Sequence, residues 1–388
     1  MENPFSSAKA HLARKIHDKE VHIRNLEAII RQRDQEIESL QSQLPDSALA
    51  EASRARTRQF WQPPPFVPPT PAQPAPSFGA RLKNAVVGKF VASHWMQIGV
   101  LRQYAPRPIR PESFPPPRLP ESRLPQVAIV TPSFNQARFL EATLRSVLDQ
   151  NYPRLAYVVE DGGSSDGSPA LIAAHAGRLA HWASAPDQGQ ADAIVRGFAR
   201  VAATLGPDDL MGYLNSDDLI MPGALRYVAE YFARHPEVDA VYGHRVIIDD
   251  DAREVGRWVL PRHEPRALEW IDYVPQETLF WRKRAWDRVG GLDPSFHFAL
   301  DWDLLARFTE AGLRLVRLPR FLGLFRVHEA QKTSQHIHST GAEEMARVRA
   351  RFRPAEKADE MASIEAWAQR TRWRGSLASR LLTLGIRR

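Results

Sequence analysis

The chain has 388 residues, 43% hydrophobic and 25% charged, with 52 Lys and Arg against 45 Asp and Glu for a net charge of +7. It has no cysteine, which excludes a disulfide framework and any thiolate metal site. No apolar run approaches the roughly 18 residues needed to span a bilayer, and the start, MENPFSSAKAHLARK, lacks the apolar centre of a signal peptide. The expected location is therefore cytoplasmic. The basic balance points to an acidic partner: nucleic acid, an anionic membrane surface or a nucleotide-linked substrate.

Residues 1–45 carry heptads. Ile16, Ile23, Ile30, Ile37 and Leu44 occupy one seam position and Leu12, Leu26 and Leu40 the other, interrupted by Lys19 and Arg33. Ile at one position with Leu at the other favours a parallel two-stranded coiled coil, so a homodimer is expected. The bland reading is a single amphipathic helix docked on its own domain.

Residues 46–125 read as a Pro-rich linker. WQPPPFVPPTPAQPAP and PRPIRPESFPPPRLPESRLP suit extended, semi-rigid spacers. Between them, about 78–104, Phe78, Leu82, Val86, Phe90, Trp95 and Leu101 recur at near-helical spacing beside basic residues. Such a helix can rest on a membrane, on the inner face of the bilayer, or pack on the domain that follows.

From 126 to about 335, short apolar strands alternate with helical stretches, the rhythm of a doubly wound, mostly parallel α/β sheet. VAIVTPSF, YVVEDGG and MGYLNSDD each deliver polar residues at the C-terminal end of a strand, where open parallel sheets bind ligands. Residues 336–388 read as a helical, basic extension.

The chemistry-bearing residues follow those strand ends. Asp217 and Asp218 are adjacent carboxylates, suited to a hard divalent cation that completes its shell with substrate phosphates. Asp161, ahead of Gly162 and Gly163, can approach a base or ribose, or simply form an Asp-Gly turn. Asp187 opens a helix, where capping is the alternative. Asp301 and Asp303, two apart at a helix start, diverge; one can be a general base while the other caps or binds Arg307. His328 follows a strand-like run and could supply a third metal ligand.

VTPSFNQARFLEATLRSVLDQNYP, VVEDGGSSDGS, DQGQADAIVRGF, LNSDDLIMPGAL, QETLFWRKRAWDRVGGLDPSF and LDWDLLARF together resemble the nucleotide-sugar-dependent glycosyltransferases of family 2, with the Rossmann-like GT-A fold. The resemblance implies an inverting enzyme that moves a sugar from a nucleotide-diphosphate donor to a hydroxyl of a glycan or lipid-linked acceptor. It implies that Thr131, Pro132 and Ser133 line the nucleoside pocket, largely through backbone. Asp161 would contact the base, and Asp187 would sit near the ribose or sugar. Asp217 and Asp218 would hold Mn²⁺ or Mg²⁺, Asp217 also touching the ribose, with His328 near the pyrophosphate. Gln276 and Glu277 would border the acceptor, and Asp301 would be the base. One departure is that Asn215 stands where the family's acidic triplet begins with Asp. The alternatives are a catalytically silent scaffold of the same fold, against which Asp217, Asp218 and Asp301 argue, and nucleic-acid binding, for which no recognition motif is present.

Overall fold

The computed structural model describes residues 101–328 and 340–352, with 363–364, 367–368 and 370–371. The coiled-coil heptads, the first Pro-rich stretch, most of the helical island at 78–104 and the greater part of 353–388 lie outside the described residues.

One half of the sheet is wholly parallel. Strands β1 (Val127–Ser133), β2 (Leu155–Asp161), β3 (His181–Ser184) and β4 (Leu210–Tyr213) run in the order β3-β2-β1-β4. Every residue of β1 is buried, as expected for a strand covered on both faces. Its alternate residues serve opposite cores. Ala128 and Val130 join Ile194 and Phe198 on one side, while Val127 and Ile129 join Leu140 and Leu144 on the other. The crossovers are α1 (Ala137–Leu148), α2 (Ser168–Ala174) and α3 (Gln190–Val201). Helix α1 forms because Phe139, Leu140, Thr143, Leu144, Val147 and Leu148 fall on one face, which it buries. Each large apolar side chain so buried contributes roughly 1.5–3 kcal/mol. Helix α3 lies so close to the sheet that a Cβ on Gly197 would come within 2.5 Å of Val130 Cγ1.

The other half is mixed. It holds β5 (Leu219–Ile220), β6 (Ala240–Ile248), β7 (Glu254–Trp258), β8 (Phe280–Arg282) and β9 (Leu315–Arg326). Beyond β4 the order continues β8-β6-β9-β5, with β7 paired to β6. Strand β8 is antiparallel to β4 and β6, while β6 and β9 are parallel. Helices α4 (Ala224–Arg234), α5 (Pro265–Trp270), α6 (Lys283–Val289), α7 (Leu300–Glu310) and α8 (Thr340–Arg351) complete this side.

The second Pro-rich stretch is extended, as its composition requires, and it lies against the domain. Arg107 pairs with Glu254 as an antiparallel bridge. The fully buried Glu254 carboxylate accepts from the Tyr104 hydroxyl, Arg107 and Arg257. Phe114 meets Tyr227 with ring centroids 5.1 Å apart. Glu230 accepts the backbone N–H of Arg118 at 2.9 Å, and Leu124 is 1% exposed. The folded body therefore includes residues 106–125, expected from their proline content to act as a spacer, and residues 101–104, the end of the expected amphipathic helix, which are not helical. Among the described residues no helix is long and apolar enough to cross a membrane.

Candidate active site

The parallel half brings the C-terminal ends of β1, β2 and β4 to one edge, with Ser133 in register with Asp161. The turn after β4 carries the adjacent carboxylates, and distant segments fix its shape. Thr143 Oγ1 on α1 donates to the Ser216 and Asp218 carbonyls at 2.8 and 2.9 Å. Arg326, ending β9, donates its backbone N–H to Asp218 Oδ1 at 2.9 Å and its Nε to the Asp217 carbonyl at 2.8 Å. The two side chains then part. Asp218 is 1% exposed and faces inward. Asp217 is partly open, with Oδ2 2.9 Å from His328 Nε2. Burial, then the charges of Asp217 and Glu277, raise the Asp218 carboxyl well above the usual carboxylate range, against the Arg326 N–H and Arg245. The Asn215 side-chain oxygen accepts from Gln190 Nε2 on α3 at 2.6 Å.

At the end of β1, the Thr131 hydroxyl points into the core, 2.9 Å from that of Tyr157, so only its backbone can face a ligand. Pro132 is buried, and the buried Ser133 Oγ has no hydrogen-bond partner among the described residues. The Asp161 carboxylate accepts from Ser164 N at 2.9 Å, Ser164 Oγ at 2.6 Å, Ser184 Oγ at 2.6 Å and Gly163 N at 3.2 Å. Its bonds thus go to its own turn and to β3. Asp187 accepts from Gly189 N at 2.8 Å. It lies so close to Gly162 that a Cβ there would sit 2.9 Å from Asp187 Oδ2, which explains the glycine. Phe134, directly after β1, is 61% exposed.

On the other side, Glu277 is buried and makes a two-pronged ion pair with Arg245, at 2.8 Å to Nε and 2.6 Å to Nη2. Arg245 also lies over the Phe325 ring, 4.2 Å from its centroid. Gln276 donates to the Tyr213 carbonyl, while its buried Oε1 has no partner among the described residues.

The two aspartates of α7 separate as their spacing requires. Asp303, fully buried, binds Arg307 at 2.9 and 2.7 Å and Arg351 of α8 at 2.8 Å. Asp301 is half-buried, and no arginine among the described residues ion-pairs with it; its Oδ1 accepts the backbone N–H of Trp302 at 2.9 Å. Burial pushes its carboxyl up to about 6, helped by the Glu277 charge and opposed by backbone N–H groups and Arg245. Arg245 and Glu277 thus act electrostatically on both Asp218 and Asp301, linking the two sides of the site. Asp272 is a further carboxylate within electrostatic reach of Asp301. Crowding around its carboxyl and then the Asp301 charge raise it, an effect moderated by water because the residue as a whole is exposed.

No group of three His, Asp or Glu side chains among the described residues is arranged as a ready metal cage. The donors present fit a cation only as an incomplete set, the partly open Asp217 beside His328 and the inward Asp218, which oxygen ligands from a substrate would have to complete. A separate hollow of about 310 Å³, lined by His263, Pro265, Thr309 and Leu313 among others, shares none of these residues and contains no carboxylate.

The sequence reading missed Phe134, Arg245, Asp272 and Arg326. An aromatic residue placed in a polar loop just past a strand could have flagged Phe134. Arg245 lies inside β6 and Arg326 at the end of β9, and only the fold gives them meaning.

The family description "Glycosyl transferase family 2" matches residues 128–291. An uncharacterised glycosyltransferase of Mycobacterium tuberculosis is 29% identical over 187 residues, covering 47% of this chain and 68% of that protein. The O-antigen biosynthesis protein RfbC of Myxococcus xanthus is 29% identical over 190 residues, 48% of this chain but only 14% of that protein. The crystal structure of S. aureus TarS 1–349 in complex with UDP-GlcNAc superposes with a TM-score of 0.44 at 15% identity, covering 54% of this chain and 60% of that one. The matched segment spans β1 through the Asp217–Asp218 turn to the loop before Asp301, and over it the chain is similar to the glycosyltransferases of family 2.

Proposed function

We propose that this chain transfers a sugar from a nucleotide-diphosphate sugar to an acceptor hydroxyl by single displacement with inversion, and that Asp301 is the general base. The observation that carries this reading is the contrast on α7. Asp303 is neutralised by Arg307 and Arg351, whereas Asp301 has no arginine ion pair among the described residues and is raised to about 6, where a carboxylate is still ionised at neutral pH but basic enough to take a proton. Asp301 accepts the proton of an acceptor hydroxyl. The oxygen so freed forms its bond to the anomeric carbon as the bond to the diphosphate breaks, which inverts that centre.

Donor binding falls to the parallel half. Asp161 orders the Gly163–Ser164 turn, the exposed Phe134 offers a face on which a base can stack, and the unpartnered Ser133 hydroxyl marks a place that a ligand or water completes. Asp187 borders the sugar end. Asp217 would hold a divalent cation, with Asp218 behind it and His328 orienting its carboxylate. When bound, Mn²⁺ or Mg²⁺ would offset the crowding of negative charge there and that of the departing diphosphate. Gln276 and Glu277 would border the acceptor, a glycan or glycolipid; the name of the myxococcal relative states O-antigen biosynthesis for that protein.

The test is a panel of nucleotide sugars, scored first by nucleotide release and then by the anomeric configuration of the product. Retention of configuration would overturn the single displacement. Full activity in excess EDTA would remove the cation from the scheme.

A further inference from the structure

Helix α8 lies beyond the segment that the family match covers, yet it grips the loop that leads into Asp301. Glu344, 6% exposed, accepts three successive backbone N–H groups: His297 to Oε1 at 2.8 Å, and Phe298 and Ala299 to Oε2 at 2.8 and 2.9 Å. These N–H groups lead into α7, whose own N-cap residue, Ala299, supplies no side-chain cap. A carboxylate there satisfies donors that the helix leaves open and favours its positive end. The same helix holds the loop at further points. Arg347 donates to Ser295 Oγ at 2.6 Å and lies 3.6 Å over the Phe296 ring, and Arg351 meets Asp303 at 2.8 Å. Asp301 is two residues past the last N–H that Glu344 holds. His297, the first, faces the donor side, since a Cβ on Gly189 would lie 3.6 Å from its Nδ1.

We infer that Glu344 is a positioning residue for Asp301: it caps α7 from a separate helix and so fixes where the base stands relative to the donor loop. The inference rests on Asp301 being the base. The capping bonds join backbone N–H groups to the Glu344 carboxylate, so the register of α7, and with it the Asp301 carboxylate, depends on a residue more than forty positions later in the chain. Displacement of a reacting group by about 1 Å can cost on the order of 10²-fold in rate.

The experiment uses the full chain with the donor that the nucleotide-sugar panel selects, and normalises rates to sites counted by nucleotide binding. Glu344→Ala and the milder Glu344→Gln are measured alone and together with Asp301→Asn. The expected result is a 10- to 100-fold fall in kcat for Glu344→Ala with KM for the donor unchanged, and a double variant no slower than Asp301→Asn alone, because both changes act through one group. Multiplying effects in the double variant, or a fall in donor affinity equal to the fall in kcat, would overturn the positioning role. So would an unchanged kcat in both Glu344 variants. Near-normal turnover of Asp301→Asn would sink the base assignment instead, which separates the two failures. If Glu344→Ala does not fold, Glu344→Gln carries the same comparison, since it keeps one accepting oxygen while setting an amide N–H against the remaining backbone donors.

Discussion

The two halves of the sheet reach their chemistry by different routes. On the donor half, β1, β2 and β4 are parallel neighbours, and the polar residues sit within a few positions of the strand ends that carry them. The mixed half is assembled from afar: the loop before Asp301 is held by Glu344 of α8 and Glu277 by Arg245 of β6, and the same half reaches across to Asp218 through the N–H of Arg326. Local strand-to-turn chemistry can be read in a single sequence. Chemistry built by partners dozens of residues apart requires the fold. The comparison predicts that changes on the donor half alter nucleotide affinity, while changes on the acceptor half divide sharply into kinetic and structural effects.

The largest expected effect is on the acceptor half. Asp301→Asn should lower turnover by roughly 10²–10⁴ while leaving nucleotide binding intact. The base must be ionised to accept a proton, and burial raises Asp301 to about 6, so activity should rise with pH through about 6 and be lost below it. That limb should vanish from the residual rate of Asp301→Asn. A limb that persists unchanged in the variant belongs to another group.

Asp303→Ala should act on stability. It strands Arg307, whose side chain is 15% exposed, and removes the tie to Arg351, so a loss of about 3–5 kcal/mol is expected by denaturant titration. A variant with normal stability and crippled kcat would mean that the roles of Asp301 and Asp303 are exchanged.

Smaller effects belong to the donor half and to the N-terminal strap. Phe134→Ala should weaken nucleotide binding by about 1–3 kcal/mol, the range for loss of a base-stacking aromatic, with kcat at saturating donor unchanged. Calorimetric titration with UDP and GDP decides it; unaltered affinity for both removes Phe134 from the pocket. Tyr104→Phe deletes one bond to the buried Glu254, which keeps Arg107 and Arg257, so about 1 kcal/mol of stability should go with no change in turnover. A chain starting at Arg123 loses this whole contact and should melt lower than one starting at Leu101. Equal melting temperatures would restore the strap to the spacer expected from its proline content.

Much of the site was legible because family-like motifs coincide with strand ends. Asp217 and Asp218 follow β4, Asp161 ends β2, and the spacing of Asp301 and Asp303 already implied divergent roles. Thr131 shows the limit. Its hydroxyl is committed to Tyr157 in the core, and alternation along a strand buried on both faces could not say which face it took. Asp161 shows another: its position was legible, but the bonds that tie it to Ser164 and Ser184 were not. The extended form of 106–125 followed from proline, whereas its docking followed from Phe114 meeting Tyr227 and from Glu230 and Glu254 holding the strap.

The sequence by itself determined the alternation of strands and helices, the parallel core and the edge at which the carboxylates gather, because side-chain period and strand-end polarity are local properties of the chain. Tertiary structure decided which carboxylate of α7 is neutralised and which is raised. Ionisation depends on what surrounds a group within a few ångströms, and those neighbours come from elsewhere: Arg307 and Arg351 neutralise Asp303, while burial near Glu277 raises Asp301.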